Sequence, residues 1–217
     1  MSSETITLTP GQEAALAKIV CTVARPGGVA ALCGPRGVGV STVLAHVAAC
    51  DRLAPRSIEC RDVATWDGGL ASGREELPDV VLADEAHLAS EGALGRVLAA
   101  CRRRRPESSL VLAGEGRLLT LLGRDARVEQ AVQLRASLRA CTAGESHDLL
   151  AQRLAPHAAD GTFAAVAATI HEIAGGIPAA MIRLADLVDV VAAARPDAAI
   201  TAADVEAVHR RLSPLAA

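Results

Sequence analysis

Lysine is nearly absent: Lys18 is the only one, so arginine supplies 21 of the 22 basic residues. A net charge of −3 creates no broad positive field of the kind that coats nucleic acid. Aromatics amount to 1%, namely Trp66 and Phe163 with no tyrosine, which excludes a base-stacking platform. Apolar residues still reach 51%, so Ala, Val and Leu must fill the core, a composition suited to helices packed closely on a sheet. Cys21, Cys33, Cys50, Cys60, Cys101 and Cys141 include no C-x-x-C pair. Their spacing offers neither a zinc site nor a disulfide framework, and their apolar neighbours suit buried, reduced thiols. No run is long and apolar enough to span a bilayer. Ile182 to Ala194 comes closest but carries Arg183, Asp186 and Asp189. Met1-Ser2-Ser3-Glu4 lacks the basic region and apolar core of a secretory leader, so the expected location is the cytoplasm.

What is present alternates between strand and helix signals. Thr9-Pro10-Gly11-Gln12 reads as a helix start, with the helix running to about Ala24 before Pro26-Gly27-Gly28. Val29 to Cys33 reads as a buried strand, Ser41 to Ala49 as a helix and Ser57 to Cys60 as a weak strand. Thr65 to Pro78, with Trp66, reads as an exposed polar excursion. A strand over Asp79 to Ala83 leads to a helix capped by Ser90 that ends in Arg102-Arg103-Arg104-Arg105-Pro106. Ser109 to Ala113 is a further strand, followed by a helix through Leu122, and Val132 to Arg139 is the last strand. Strands alternating with helices predict an α/β domain, a three-layer αβα stack around a parallel sheet, over residues 1–141. Residues 142–217 carry only helical patterns, opened by Thr142, Thr162, Ile177-Pro178 and Thr201, and predict a small all-α domain.

The chemistry concentrates where the first strand meets its helix. Gly34-Pro35-Arg36-Gly37-Val38-Gly39-Val40-Ser41-Thr42 has the spacing of a phosphate-binding loop. Such a loop wraps N–H groups around phosphates, sends a lysine to the β/γ oxygens and offers Mg²⁺ a hydroxyl. Ser41 is that hydroxyl, but Val40 stands at the lysine position. The strand ending in Asp84-Glu85 supplies the other half. One carboxylate holds Mg²⁺ together with Ser41, and the second orients or deprotonates water. The bland alternative is that Asp84 and Glu85 only cap the next helix. Arg102 to Arg105 has two readings: contact with DNA phosphates, or a solvated helix end favoured by the dipole. Gln12 has a capping role or an adenine contact open to it.

These motifs, in order, resemble those of the AAA+ ATPases, a branch of the P-loop NTPases. The motifs are the Gly34 loop (Walker A), Asp84-Glu85-Ala86-His87 (Walker B), Leu110 to Glu115, Leu138-Arg139, Gly175-Gly176-Ile177-Pro178 and Ile200 to Val205. The resemblance runs from about Pro10 to Leu212 and is nearest the ExeA-type ATPases of secretion loci, with MuB- and TniB-type transposition ATPases as cousins. It implies Mg²⁺ with ATP or ADP as ligand, Asp84, Glu85 and Glu115 as catalytic residues, and Ser41 with Asp84 on the metal. It also implies a helical lid and side-by-side assembly, as a homo- or hetero-oligomer in which a neighbour's arginine (Arg124 or Arg127 here) reaches the γ-phosphate. Protein partners are expected, with DNA as the alternative.

Three positions depart from that family. Val40 replaces the lysine, Glu115 stands where a polar sensor is common, and Ala179 stands where an arginine often follows G-I-P, with Arg183 one turn on. Hydrogen bonds to charged groups contribute roughly 1.5–3 kcal/mol each, so losing two and adding an acid weakens triphosphate binding by roughly 3–6 kcal/mol. The expectation is a degenerate AAA+ protein: a weak or partner-dependent nucleotide binder acting as regulator or scaffold. An active ATPase in which Arg36 compensates and a DNA-binding accessory of a mobile element are the competing readings.

Overall fold

The computed structural model describes residues 8–63, 76–158, 161–195 and 199–212. Trp66 and most of the excursion expected over Thr65 to Pro78 fall outside that range, as does the N-terminal tetrapeptide. The described chain divides into two compact units, one over Gly11–Arg139 and one from Ala140 onward that also takes in the residues up to Pro10.

In the first unit the elements run α1 (Pro10–Val23), β1 (Val29–Cys33), α2 (Val40–Ala48), β2 (Ile58–Asp62), β3 (Val80–Asp84) and α3 (Ala93–Arg104). They continue as β4 (Ser109–Gly114), α4 (Arg117–Arg124), α5 (Ala126–Ala131) and β5 (Leu134–Ser137). The five strands form one parallel sheet in the order β2-β3-β4-β1-β5. β1 and β4 are buried along their whole length, as uniformly apolar strands covered on both faces must be. Val81, Leu94, Val97, Leu110, Leu112 and Leu118 anchor a core in which aliphatic side chains do what aromatics do elsewhere.

The arginine run has a structural use. Arg102 donates to the carbonyls of Gly27 (2.7 Å) and Pro106 (3.0 Å), and Arg105 donates to Leu77 O (2.7 Å) and to Asp79 Oδ1 (2.5 Å). Ser109 Oγ, buried at the start of β4, accepts from Gly28 N at 3.2 Å and lies within donating distance of Val23 O and Arg25 O. Two of the four arginines therefore tie loops at the N-terminal edge of the sheet, which corrects the reading of a merely solvated helix end. The helix itself begins at Ala93 rather than behind a Ser90 cap, because Gly92 takes the left-handed conformation (φ 75°) and serves as N-cap. Ser90 Oγ instead accepts from Arg96. The last strand, Leu134–Ser137, is shorter than the expected Val132 to Arg139, because Val132 closes α5 as its C-cap.

The second unit is helical: α6 (Ala143–Leu154), α7 (Phe163–Ala174), α8 (Pro178–Ala193) and α9 (Ala202–Leu212). Leu150, Leu154, Ile170, Met181, Ala185 and Val205 are all fully buried in its core. Thr142 opens α6 with a reciprocal capping box: its hydroxyl accepts from Glu145 N (3.3 Å) while Glu145 accepts from Thr142 N (2.7 Å). Thr201 and Asp204 repeat the device before α9. The Thr201 hydroxyl and N–H, with Arg195, hold the Asp204 carboxyl below the usual carboxylate range. The stability this contributes is present above that range and is lost as pH falls through the depressed value.

Thr142→Ala should cost about 1 kcal/mol by removing the cap. Gly144→Ala, in open space inside the same helix, should gain roughly 0.5–1 kcal/mol. Urea midpoints that move in opposite directions for the two variants would meet this expectation.

Candidate functional site

The turn after β1 is shaped by two glycines that no other residue replaces without strain. Gly37 and Gly39 have φ of 84° and 95°, values that L side chains rarely adopt. A Cβ on Gly39 would lie 2.2 Å from Gln12 Nε2, and that amide donates to Val38 O at 2.8 Å. Gln12 is only 6% exposed. It clamps the back of the loop, a use that neither sequence reading of this residue had anticipated. Val38 is buried and sits against Gly34, where a Cβ would come within 2.6 Å of Val38 Cγ2. Gly34 N donates to Gly114 O at 3.1 Å, which fixes the loop's entry against the end of β4. Pro35 and Arg36 are exposed at the tip, and Arg36 makes no hydrogen bond or ion pair among the described residues. Gly39 then starts α2 with no side-chain cap and no acid in the first turn. The first N–H groups of that helix are left for solvent or an anion.

Parallel pairing brings the ends of β1, β4 and β3 to one edge, and the two halves of the motif meet there. Ser41 Oγ donates to Asp84 Oδ2 at 2.9 Å across 43 residues of sequence. Asp84 Oδ1 accepts from Glu85 N at 2.8 Å. Glu85 is the one non-glycine residue with positive φ (52°) among the described residues. Strain at such a position is typical of functional turns. The strand register places Asp62 beside Asp84, a neighbour that sequence reading missed because strand order is not written locally.

His87 lies between two carboxylates. Its Nε2 is 3.6 Å from Glu85 Oε2 and 3.9 Å from Glu115 Oε1. His87 is buried to 9% exposure, its Nδ1 has no hydrogen-bond partner, and a Cβ on Gly114 would approach that nitrogen to 2.8 Å. With Nδ1 unpartnered, Nε2 is the ring nitrogen that faces the carboxylates. Arg117 donates to the His87 carbonyl. Burial pushes the Cys33 thiol up, and Glu115's charge adds to it; burial and then Asp84 do the same to Cys60. Cys101, deeper in the core, is pushed up to about 11 by burial. These thiols stay protonated. Cys21 and Cys60 are exposed, however, so only some of the cysteines are buried as expected.

Ser41 and Asp84 are hard oxygen donors within hydrogen-bond reach of each other, and the glycine cradle is open-backboned, so these residues fit a magnesium-bound phosphate group. No cluster of three or more His, Cys, Asp or Glu able to hold a metal alone exists among the described residues. Any magnesium would therefore take its remaining ligands from water and phosphate. Position 40 presents valine, half-buried, where a cation would be needed. Farther along, Arg124 and Arg127 are exposed, each 3.9 Å from an acid, Glu91 and Asp125 respectively. They line a cleft of about 380 Å³ with Ser90 and Leu121. In the second unit, Ala179 and Arg183 are both exposed on α8, four residues apart and so on one face.

No family model matches the chain, and no curated protein matches it. Solved structures do. Domain III of the Thermotoga maritima replication initiation protein DnaA superposes with a TM-score of 0.70 at 12% identity, covering 95% of each chain. The Thermotoga maritima Holliday junction branch migration motor RuvB gives 0.67 at 19% identity over 93% of this chain and 68% of that one. Aeropyrum pernix ORC2, solved in ADPNP-ADP complexes, gives 0.65 at 15% identity over 98% and 71%. The fold is that of the AAA+ ATPases. Within that fold the glycine loop, Asp84 and Glu115 occupy the C-terminal edge of the parallel sheet, the usual place for ligands in open α/β sheets. No helix among the described residues is long and apolar enough to cross a membrane.

Gly39→Ala should destabilise the first unit by about 1–3 kcal/mol, from left-handed strain alone, with displacement of Gln12 added. Gly116→Ala, helical and open, is the control. A Gly39→Ala variant with the wild-type denaturation midpoint would show that the loop does not hold this backbone.

Proposed function

We propose that this chain is a nucleotide-binding protein of the AAA+ kind whose loop takes Mg²⁺ with ATP or ADP weakly, or with a partner's help. It acts as a regulator or assembly scaffold rather than a fast ATPase. The observation that carries this reading is the 2.9 Å bond between Ser41 and Asp84 at the mouth of a glycine loop whose lysine position holds Val40. The magnesium-side pair is intact while the main phosphate cation is gone.

In this reading Gly34 to Thr42 hold the phosphates through main-chain N–H groups, and Ser41 and Asp84 hold the ion. Bound magnesium would neutralise phosphate charge. Glu85 is the residue to accept a proton from water, and His87 Nε2 faces both Glu85 (3.6 Å) and Glu115 (3.9 Å). Turnover is low because positive charge on the transferring phosphoryl group supplies most of the rate in such reactions. Arg36, exposed and unbonded among the described residues, is the nearest replacement cation within the loop. Helices α6 to α9 correspond to the helical domain that is a lid in the family the motifs resemble. Arg124 and Arg127 are the candidates to act on a neighbouring subunit in a homo- or hetero-oligomer. Kinship with the ExeA, MuB and TniB types rests on motif order alone. A DNA role is the weaker reading, since Arg102 and Arg105 are engaged with the protein itself.

Titration with labelled Mg²⁺-ATP tests this directly. Val40→Lys should tighten binding by about 10- to 150-fold, one charged hydrogen bond, while the unmodified chain releases phosphate slowly or not at all. Rapid phosphate release by the unmodified chain would establish the active ATPase instead. A salt-dependent shift of duplex DNA without nucleotide would establish the DNA-binding accessory.

A further inference from the structure

Resting on the nucleotide reading above, we propose that this site takes nucleoside diphosphates in preference to triphosphates, and that Glu115 sets the preference. The β/γ-phosphate position has lost its cation, because Val40 stands where a lysine would reach those oxygens. Asp84, bonded to Ser41, marks the side of the loop where these two residues would hold a magnesium ion. Next to Asp84 on that edge, two further carboxylates converge on one imidazole: Glu85 Oε2 at 3.6 Å and Glu115 Oε1 at 3.9 Å from His87 Nε2. Glu115 also stands at the mouth of the loop. The carbonyl of its neighbour Gly114 accepts from Gly34 N at 3.1 Å, and its charge is felt at Cys33, the last residue of β1.

A diphosphate can satisfy the loop N–H groups and a Ser41-bound ion. A third phosphoryl group adds negative charge on the side where Glu85 and Glu115 already lie, with no lysine to offset it. His87 turns only one ring nitrogen to the two carboxylates, and Arg117 is tied to the His87 carbonyl. Of the two acids, Glu115 is the discriminating one. Glu85 directly follows the metal-side aspartate and has the proton-accepting part proposed above, whereas Glu115 comes directly after β4, next to the Gly114 that pairs with Cys33 at the loop's entry.

The test is calorimetric titration of the full chain with Mg²⁺-ADP and with a non-hydrolysable Mg²⁺-ATP analogue, before and after Glu115→Gln. ADP should bind at least about tenfold more tightly than the analogue, and Glu115→Gln should narrow that ratio about tenfold while moving ADP affinity less than about threefold. Glu115 is half-exposed and the exchange is isosteric; circular dichroism and the thermal midpoint check that the fold is kept. Equal or tighter binding of the triphosphate analogue by the unmodified chain overturns the preference. A ratio that Glu115→Gln leaves unchanged overturns the part given to Glu115. If neither ligand binds the unmodified chain, the nucleotide reading fails for the chain as it stands. The same ratio is then measured in Val40→Lys and in Val40→Lys/Glu115→Gln, where a shift supports the charge discrimination and a constant ratio overturns it.

Discussion

The glycine loop can exist only if its backbone turns left-handed twice, at Gly37 and Gly39. That requirement organises everything around it. Gly39 needs the absence of a side chain both for its φ and because Gln12 fills the space behind it. Gln12 in turn holds Val38 O, and Val38 closes against Gly34. With the turn fixed, α2 begins at Val40, and Ser41 falls on its first turn within reach of Asp84. The site is thus a consequence of backbone geometry first and side-chain chemistry second.

Charge is the second constraint. The edge that gathers the loop also gathers Asp62, Asp84, Glu85 and Glu115, while lysine is missing from it. Oxygen-rich surroundings suit a divalent cation, and a cation is what allows a polyanion to approach such an edge. His87 is buried and turns its Nε2 to two of these acids, Glu85 at 3.6 Å and Glu115 at 3.9 Å. Gly114 makes that placement possible, since a side chain there would meet the imidazole.

Much of this was legible in the sequence, and the reasons differ from element to element. β1, β3 and β4 announced themselves as short apolar runs because strands buried on both faces have no polar side to show. The capping box at Thr142 and Glu145 was legible because both partners lie within one turn. The start of α3 was misread: Ser90 is a good cap by type, yet Gly92 offers a left-handed entry nearer to the helix. α5 was missed because six residues carry too little periodicity to announce a helix. The arginine run showed its charge but not its carbonyl partners at Gly27 and Leu77, which sit 75 and 28 residues away.

By itself the sequence determined which residue types could meet: a glycine loop without its lysine, an acidic pair ending a buried strand, and caps that start helices from local bonds. These are short-range matters of spacing, torsion and propensity. Only the tertiary structure decided that β4 lies between β1 and β3, that Asp62 neighbours Asp84, that Gln12 braces the loop, and that His87 stands between Glu85 and Glu115. Strand order and packing depend on contacts between residues far apart in the chain, and no local pattern of amino acids encodes such contacts one at a time.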